Sequence, residues 1–315
     1  MDKESIIKTQ AMLFILICVQ ILSTIYLILT TPDIISGITP NQPFPHIFGD
    51  NSNSIAIPFI ILIVALVETA ILLIAMRFKF FDRIIKFIFI AALSYGVFGL
   101  TLTIGWEFFD STNFFGILSI AIALFVLSVI LLWKHPEWYV IDVIGSIMCA
   151  IGISALGSNI GVLPILILLI LMACYDAYAV YKSRHMIELA EGALNLKLPI
   201  IFIIPRDLKY SFIKSGSWSD IDNIPERDAN FIGMGDIVFP SLLFISSIMA
   251  FKEASWKLFG FIPLPAIGAI IGSWVGMIVL NWYAGNHPKS HAGLPILNGC
   301  TITGFIIMYA VMVLV

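Results

Sequence analysis

Two stretches decide how this chain reads: VLPILILLILMACYDAYAVYK at residues 162–182 and FIGMGDIVFPSLLFISS at residues 231–247. Both are predominantly apolar, as a membrane-spanning helix of about 20 residues must be. Each carries one carboxylate, Asp176 in the first and Asp236 in the second. A carboxylate in hydrocarbon is costly and calls for a partner or a function. Two of them on consecutive spans point to one site that needs both. The rest of the chain agrees on class. Of its 315 residues, 60% are hydrophobic and only 12% are charged, with a mean hydropathy of +1.02. A water-soluble domain cannot hide that much apolar surface, so the chain reads as a multi-spanning membrane protein. The net charge of −3 gives no sign of a nucleic-acid partner.

Nine spans are predicted, at about 11–31, 55–76, 87–105, 113–133, 139–156, 162–182, 231–251, 258–283 and 294–315. Irregular backbone and open sheets cannot face lipid, so the spans are helices and the fold class is all-α. The whole chain, 1–315, reads as a single membrane-embedded domain, with spans one to six, a loop over about 183–230, and spans seven to nine. Placing the N-terminus in the cytoplasm puts fifteen of the seventeen Lys and Arg on the inner side and leaves only Lys252 and Lys257 outside. That bias assigns a cytoplasmic N-terminus and an external C-terminus. The charged start before the first apolar run, with no small-residue cleavage site after it, reads as a retained helix rather than a signal peptide. Cys18, Cys149, Cys174 and Cys300 all lie in apolar stretches with no CxxC pair and read as small hydrophobes. Short loops and small size suit a prokaryotic plasma membrane.

The loop has three parts. SRHMIELAEGAL continues span six as an amphipathic helix ending near Gly192 or Asn195. Ile200–Ile204 is a β-branched and aromatic strand ended by Pro205, with Leu208–Phe212 able to pair back on it as a small cytoplasmic hairpin. KSGSWSDIDNIPERDAN is polar, without periodicity.

The depths of the two aspartates match. Asp176 lies six residues before Lys182 and Asp236 six residues after Asn230. At 1.5 Å per residue each sits roughly 9 Å from the cytoplasmic end of its span. Gly233 and Gly235 allow a backbone or a substrate to come close, and Pro240 deprives the Asp236 carbonyl of its helical partner. Two adjoining carboxyls share one proton. The charged one takes a proton from water as the water attacks a peptide carbonyl; the protonated one donates to the carbonyl oxygen. This is aspartic protease chemistry, which uses neither metal nor cofactor, and the pair titrates jointly. Zinc protease chemistry fits poorly, because His287 and His291 enclose HPKSH, with Pro288 where HExxH needs its Glu. His46, His135 and His185 stand alone in loops or at helix ends, and no nucleotide-binding loop is present.

Tyr175-Asp176 in one span and Gly233-Met234-Gly235-Asp236 in the next resemble the GxGD intramembrane aspartyl proteases, the presenilin and signal peptide peptidase family, and its archaeal homologues in particular. A third element of that family, Pro-Ala-Leu at the start of the ninth span, is matched by Pro295-Ile296-Leu297, with Ile in place of Ala. The resemblance covers essentially the whole chain. It implies a catalytic pair of Asp176 and Asp236, with supporting or substrate-binding roles for Tyr175, Gly233, Gly235, Leu294, Pro295, Ile296 and Leu297. It also implies cleavage of transmembrane segments of membrane proteins within the lipid bilayer. The fifteen-to-two count favours the presenilin orientation over the inverted one of signal peptide peptidases. No long hydrophobic insertion separates spans six and seven, so a single uncut chain is expected. Accessory subunits are not evident. A substrate segment unwound near the cut would add to the IIFII strand, and replacing Phe202 with proline is then expected to lower cleavage without unfolding the protein.

Other polar residues have two readings each. Glu68, in the middle of span two, either lines a water or substrate path or is a structural carboxyl. Asp142 sits where it would favour the first turn of span five through the helix dipole. Asn298 bonds either to the site or across a helix interface. Tyr178, Tyr181, Trp133 and Trp138 read as interfacial anchors. The competing function is a proton-coupled transporter or channel, since paired carboxylates also serve proton relays; a catalytically inactive binder of membrane helices is a third reading.

Overall fold

The computed structural model describes residues 3–31, 52–108, 114–183, 185–207, 209–214, 229–286 and 291–314. Among the described residues ten helices carry the architecture, in the order α1 (Lys3–Thr30), α2 (Ala56–Met76), α3 (Asp82–Phe108), α4 (Phe114–Lys134), α5 (Trp138–Asn159), α6 (Val162–Tyr178), α7 (His185–Asn195), α8 (Met234–Ala250), α9 (Leu264–Asn286) and α10 (Leu294–Leu314). Eight of the described helices are long and apolar enough to cross a membrane. The predicted seventh span, α8, is an apolar helix of 17 residues. It is shorter than expected because residues 231–233 belong to a strand. Likewise 258–263, placed at the start of span eight, form strands β3 (Lys257–Leu258) and β4 (Ile262–Pro263) before α9 begins.

Span six continues beyond Tyr178 as a π turn, Ala179–Ser183, and then as α7, which ends at Asn195 as the sequence suggests. The predicted strand exists as β1 (Ile201–Pro205), but its partner is not Leu208–Phe212. It pairs antiparallel with β2 (Ala229–Gly233), with Phe202 opposite Ile232 and Ile204 opposite Asn230. Two carboxylates, Glu137 just before α5 and Asp142 within it, explain the difference. Glu137 accepts from the Ser211 hydroxyl at 2.6 Å and from the Phe212 amide at 2.9 Å. These bonds hold the Phe212 segment against the start of α5, so it is not available to β1. Asp142 accepts the Ile203 amide at 2.9 Å, so this carboxylate secures a strand edge rather than only the first turn of its own helix. Phe202 is fully buried and belongs to the paired strand, so its replacement by proline would break sheet and core together, contrary to expectation. Most of the polar segment 214–230, together with His46, His287 and Pro288, lies outside the described residues.

The main core gathers Leu16 and Val19 of α1, Ile153 of α5, Leu168 and Leu169 of α6, Leu243 to Ile245 of α8, and Leu297 of α10. Polar side chains tie the bundle together. The Gln20 amide donates to Ser273 Oγ at 3.0 Å and to Ser241 Oγ at 3.3 Å, and accepts from Trp274 Nε1 at 2.8 Å. One side chain of α1 thereby fixes α8 against α9.

The closest helix pair is α9 with α10. A Cβ on Gly268 would meet the Gly304 carbonyl oxygen at 2.2 Å, and one on Gly272 the Cys300 carbonyl oxygen at 2.4 Å. Gly268, Gly272 and Gly276 recur every four residues, the small-residue pattern that lets helix backbones touch. Gly272→Leu is expected to force α9 and α10 apart and to destabilise the fold by roughly 1–3 kcal/mol or more. Gly299→Leu, where nothing lies within 4 Å of the added carbon, should leave the melting temperature in detergent close to that of the parent. Thermal unfolding of the two variants checks this.

Candidate active site

Asp176 occupies the last turn of α6 and is 5% exposed. Asp236 occupies the first turn of α8 and is half-buried. The start of α10 brings them together. Asp176 Oδ2 accepts the Leu294 amide at 3.1 Å, and the Gly293 amide also faces Asp176. A Cβ built on Gly293 would lie 3.5 Å from Asp236 Oδ2. Two consecutive residues therefore touch both carboxyls, and Asp236 lies within Coulombic reach of Asp176.

Local sequence dictates this convergence. The first amides of a helix have no intrahelical acceptor. Gly293 is the capping position, its carbonyl accepting the Leu297 amide at 3.1 Å. Pro295, in the first turn, has no amide to satisfy and is well suited there. The Leu294 amide is thus an orphan donor, and the Asp176 carboxyl from another helix satisfies it. The positive end of the α10 dipole faces the same carboxyl. Glycine at 293 keeps this approach open, and Gly233 does so from the other side, where a Cβ would again lie 3.5 Å from Asp236 Oδ2.

The other expected residues distribute as follows. Leu294 and Leu297 are buried in the main core, while Pro295 and Ile296 are half-buried on the same turn. Tyr175 packs against that core beside Asp176, and Gly235 is exposed. Asn298 lies one turn further on and donates to the Leu169 carbonyl at 2.8 Å, so it ties α10 to α6 by helix packing. Glu68 is exposed on α2, apart from the pair, and Asp142 serves β1. Tyr178 and Tyr181 are exposed at 52% and 59%, as anchors would be. His291 packs edge-on against Tyr283, with ring centroids 4.9 Å apart. Gly293 is the site residue that sequence reasoning missed; a glycine directly before a Leu-Pro helix start is the available signal.

Fold and site together define a polytopic membrane protein that brings two carboxyls together at the start of α10. The model for signal-peptide peptidase, presenilin aspartyl protease matches residues 11–314, and the chain belongs to that family. Comparison with curated proteins returns no match. Two solved structures, both described as a presenilin family intramembrane aspartate protease, in C222 and P2 space groups, are similar to it at 29% and 28% identity. Each has a TM-score of 0.59 and covers 96% of this chain and 97% of its own. As a member of this family the protein is an intramembrane aspartic protease, and the transporter reading has no support.

Asp176→Ala removes the acceptor of the Leu294 amide and is expected to lower stability by about 1–3 kcal/mol. Asp176→Asn keeps a carbonyl oxygen in place and should retain most of it. Melting temperatures of the two purified variants, compared with Asp236→Ala as a reference that leaves the Leu294 amide paired, check the capping role.

Proposed function

We propose that Asp176 and Asp236 are the catalytic pair, and that the protein hydrolyses peptide bonds within transmembrane segments of other membrane proteins. The observation that carries this reading is the convergence of both carboxyls on Gly293–Leu294. One carboxylate accepts a proton from water while the water oxygen bonds to the peptide carbon. The other, protonated, carboxyl donates its proton to the carbonyl oxygen. Collapse of the resulting diol breaks the C–N bond as a proton passes to the leaving nitrogen, and the pair is restored. Tyr175, Gly233, Gly235 and Leu294–Leu297 line the reacting segment.

An unwound substrate must satisfy backbone groups that lipid cannot. The β1–β2 pair offers an edge for them. Ile203 points its amide away from β2, towards Asp142, so the residues paired as Ile203–Phe231 and Ile201–Gly233 direct their amides outward. The β1 side of this pair is closed by Asp142, which leaves the β2 side, ending at Gly233 beside Asp236, for strand addition. The chain works as one domain with a cytoplasmic N-terminus and an external C-terminus, supported by the Lys and Arg distribution. A prokaryotic plasma membrane suits its short loops. Its partners are substrate spans and lipid.

Purified protein incubated with single-span peptides is expected to yield fragments cut inside the apolar segment, detectable by mass spectrometry. Asp236→Asn should lower the rate by at least about 10²–10⁴-fold. The rate should also fall at both ends of a pH series, since the doubly protonated and doubly charged pairs each lack one role. Undiminished cutting by Asp236→Asn would remove the pair from the chemistry.

Gly233 has φ −62° and ψ 137°, a backbone that proline adopts without strain. Gly233→Ala keeps the amide and Gly233→Pro removes it. If a substrate strand pairs here, the proline variant should cleave at least about tenfold more slowly than the alanine variant, the cost of one buried hydrogen bond. Equal rates would overturn strand addition at β2.

A further inference from the structure

At the end of α8 remote from Asp236, the chain makes a second, much smaller hairpin. Lys257 pairs with Pro263 and Leu258 with Ile262, and the Phe261 amide closes the turn onto the Leu258 carbonyl at 3.3 Å. The two tip residues are Phe259, with φ 54°, and Gly260, with φ 80°. A turn with both central residues left-handed ordinarily takes Asn-Gly or Asp-Gly, because a bulky side chain is strained there. Here the first position holds a phenylalanine that is 81% exposed. Trp256 and Leu258 beside it are exposed at 50% and 40%. The turn thus holds a large apolar side chain outward, where the protein itself offers it no burial.

Three observations identify the partner. First, α8 has 17 residues, about 25 Å of helix, against a hydrocarbon core of about 30 Å. The hairpin follows where that helix stops. Second, the hairpin leads into α9, which exposes Ile271, Val275, Ile278 and Trp282, so its apolar tip precedes a helix with an exposed apolar face. Third, two of the three neighbouring charges, Lys252 and Lys257, suit phosphate, and the exposed carboxylate of Glu253 follows Lys252. Lys252 is exposed, and Lys257 reaches back to donate to the Lys252 carbonyl at 2.6 Å. Between the end of α8, the Lys252–Trp256 turn, Leu264 and Met312 opens a cavity of about 520 Å³. Trp and Lys together at a helix end are the residues that settle at a membrane–water boundary.

We propose that the Trp256–Pro263 hairpin is an anchor for glycerophospholipid in the leaflet opposite the aspartates. Phe259 and Leu258 enter the upper acyl region, and the ammonium groups of Lys252 and Lys257 meet lipid phosphate. The anchor fixes the height of α8 in the bilayer. Since Asp236 is in its first turn, the anchor also sets the depth of Asp236. Only that last consequence rests on the proposed catalytic role; the anchor itself does not.

The test uses the full chain in vesicles of phosphatidylcholine and phosphatidylglycerol, without any cleavage assay. Phe259→Trp adds one fluorophore at the tip, read as the emission in excess of the parent. The expected result is severalfold stronger quenching by phospholipids brominated near the headgroup than by those brominated near the chain end, with little quenching by aqueous iodide. Phe259→Asn relieves the backbone strain, so it should fold at least as well in detergent. In vesicles the Trp256 emission, read as the difference from Trp256→Phe in the same background, should then become more accessible to iodide. Excess emission from Phe259→Trp that iodide quenches freely and brominated lipid leaves unchanged would overturn the proposal. So would an Asn variant whose Trp256 stays as shielded as before.

Discussion

The hydrogen bond from the Leu294 amide to Asp176 is the constraint on which the rest of the site depends. A helix start inside the membrane has amides that neither water nor its own turn can satisfy. Here a carboxyl from α6 does so, and that choice places α10 directly over the last turn of α6. Everything that holds α10 therefore also holds the site. Gly268, Gly272 and Gly304 let α9 and α10 touch backbone to backbone, and Asn298 ties α10 to the Leu169 carbonyl one turn from the aspartate. Gly293 completes the arrangement by leaving room for Asp236 against its own backbone.

The second aspartate is held by different means. Asp236 begins a short helix that follows a strand without an intervening loop, so its position is set by β2 and by the packing of α8. The pairing of β2 with β1 is secured from α5, through Asp142 on the Ile203 amide. The body of α8 is fixed through Ser241, which shares the Gln20 amide with Ser273 of α9. Polar side chains thus do in lipid what apolar contact alone would do poorly. With hydrocarbon on all sides, a hydrogen bond between helices selects one rotation and one height where apolar faces would permit several.

The sequence made the class and the site legible because both depend on local signals. Apolar length announces helices, and a carboxylate within it announces a candidate site, so Asp176 and Asp236 could be read directly. Family resemblance added the Pro295 turn. The strand Ile201–Pro205 was also local, in its β-branched run. Its partner was not: Leu208–Phe212 lies close by and has suitable residues, but Glu137 binds that segment to α5. The true partner, Ala229–Gly233, is nearly as apolar as the helix it precedes, so a hydropathy reading merges the two and starts the span too early. The same merging hid the hairpin before α9. Gly293 and the Gln20 network escaped because their meaning lies in tertiary approach, which no single stretch displays.

The central claim is that the two carboxyls form one titrating unit. Infrared difference spectra of the lipid-reconstituted protein across a pH series test it most directly, comparing the parent with Asp176→Asn and Asp236→Asn. The account predicts one protonated-carboxyl band that belongs to the pair, so that either substitution shifts or removes it. Two carboxyl bands, each unaffected by replacement of the other aspartate, would contradict it.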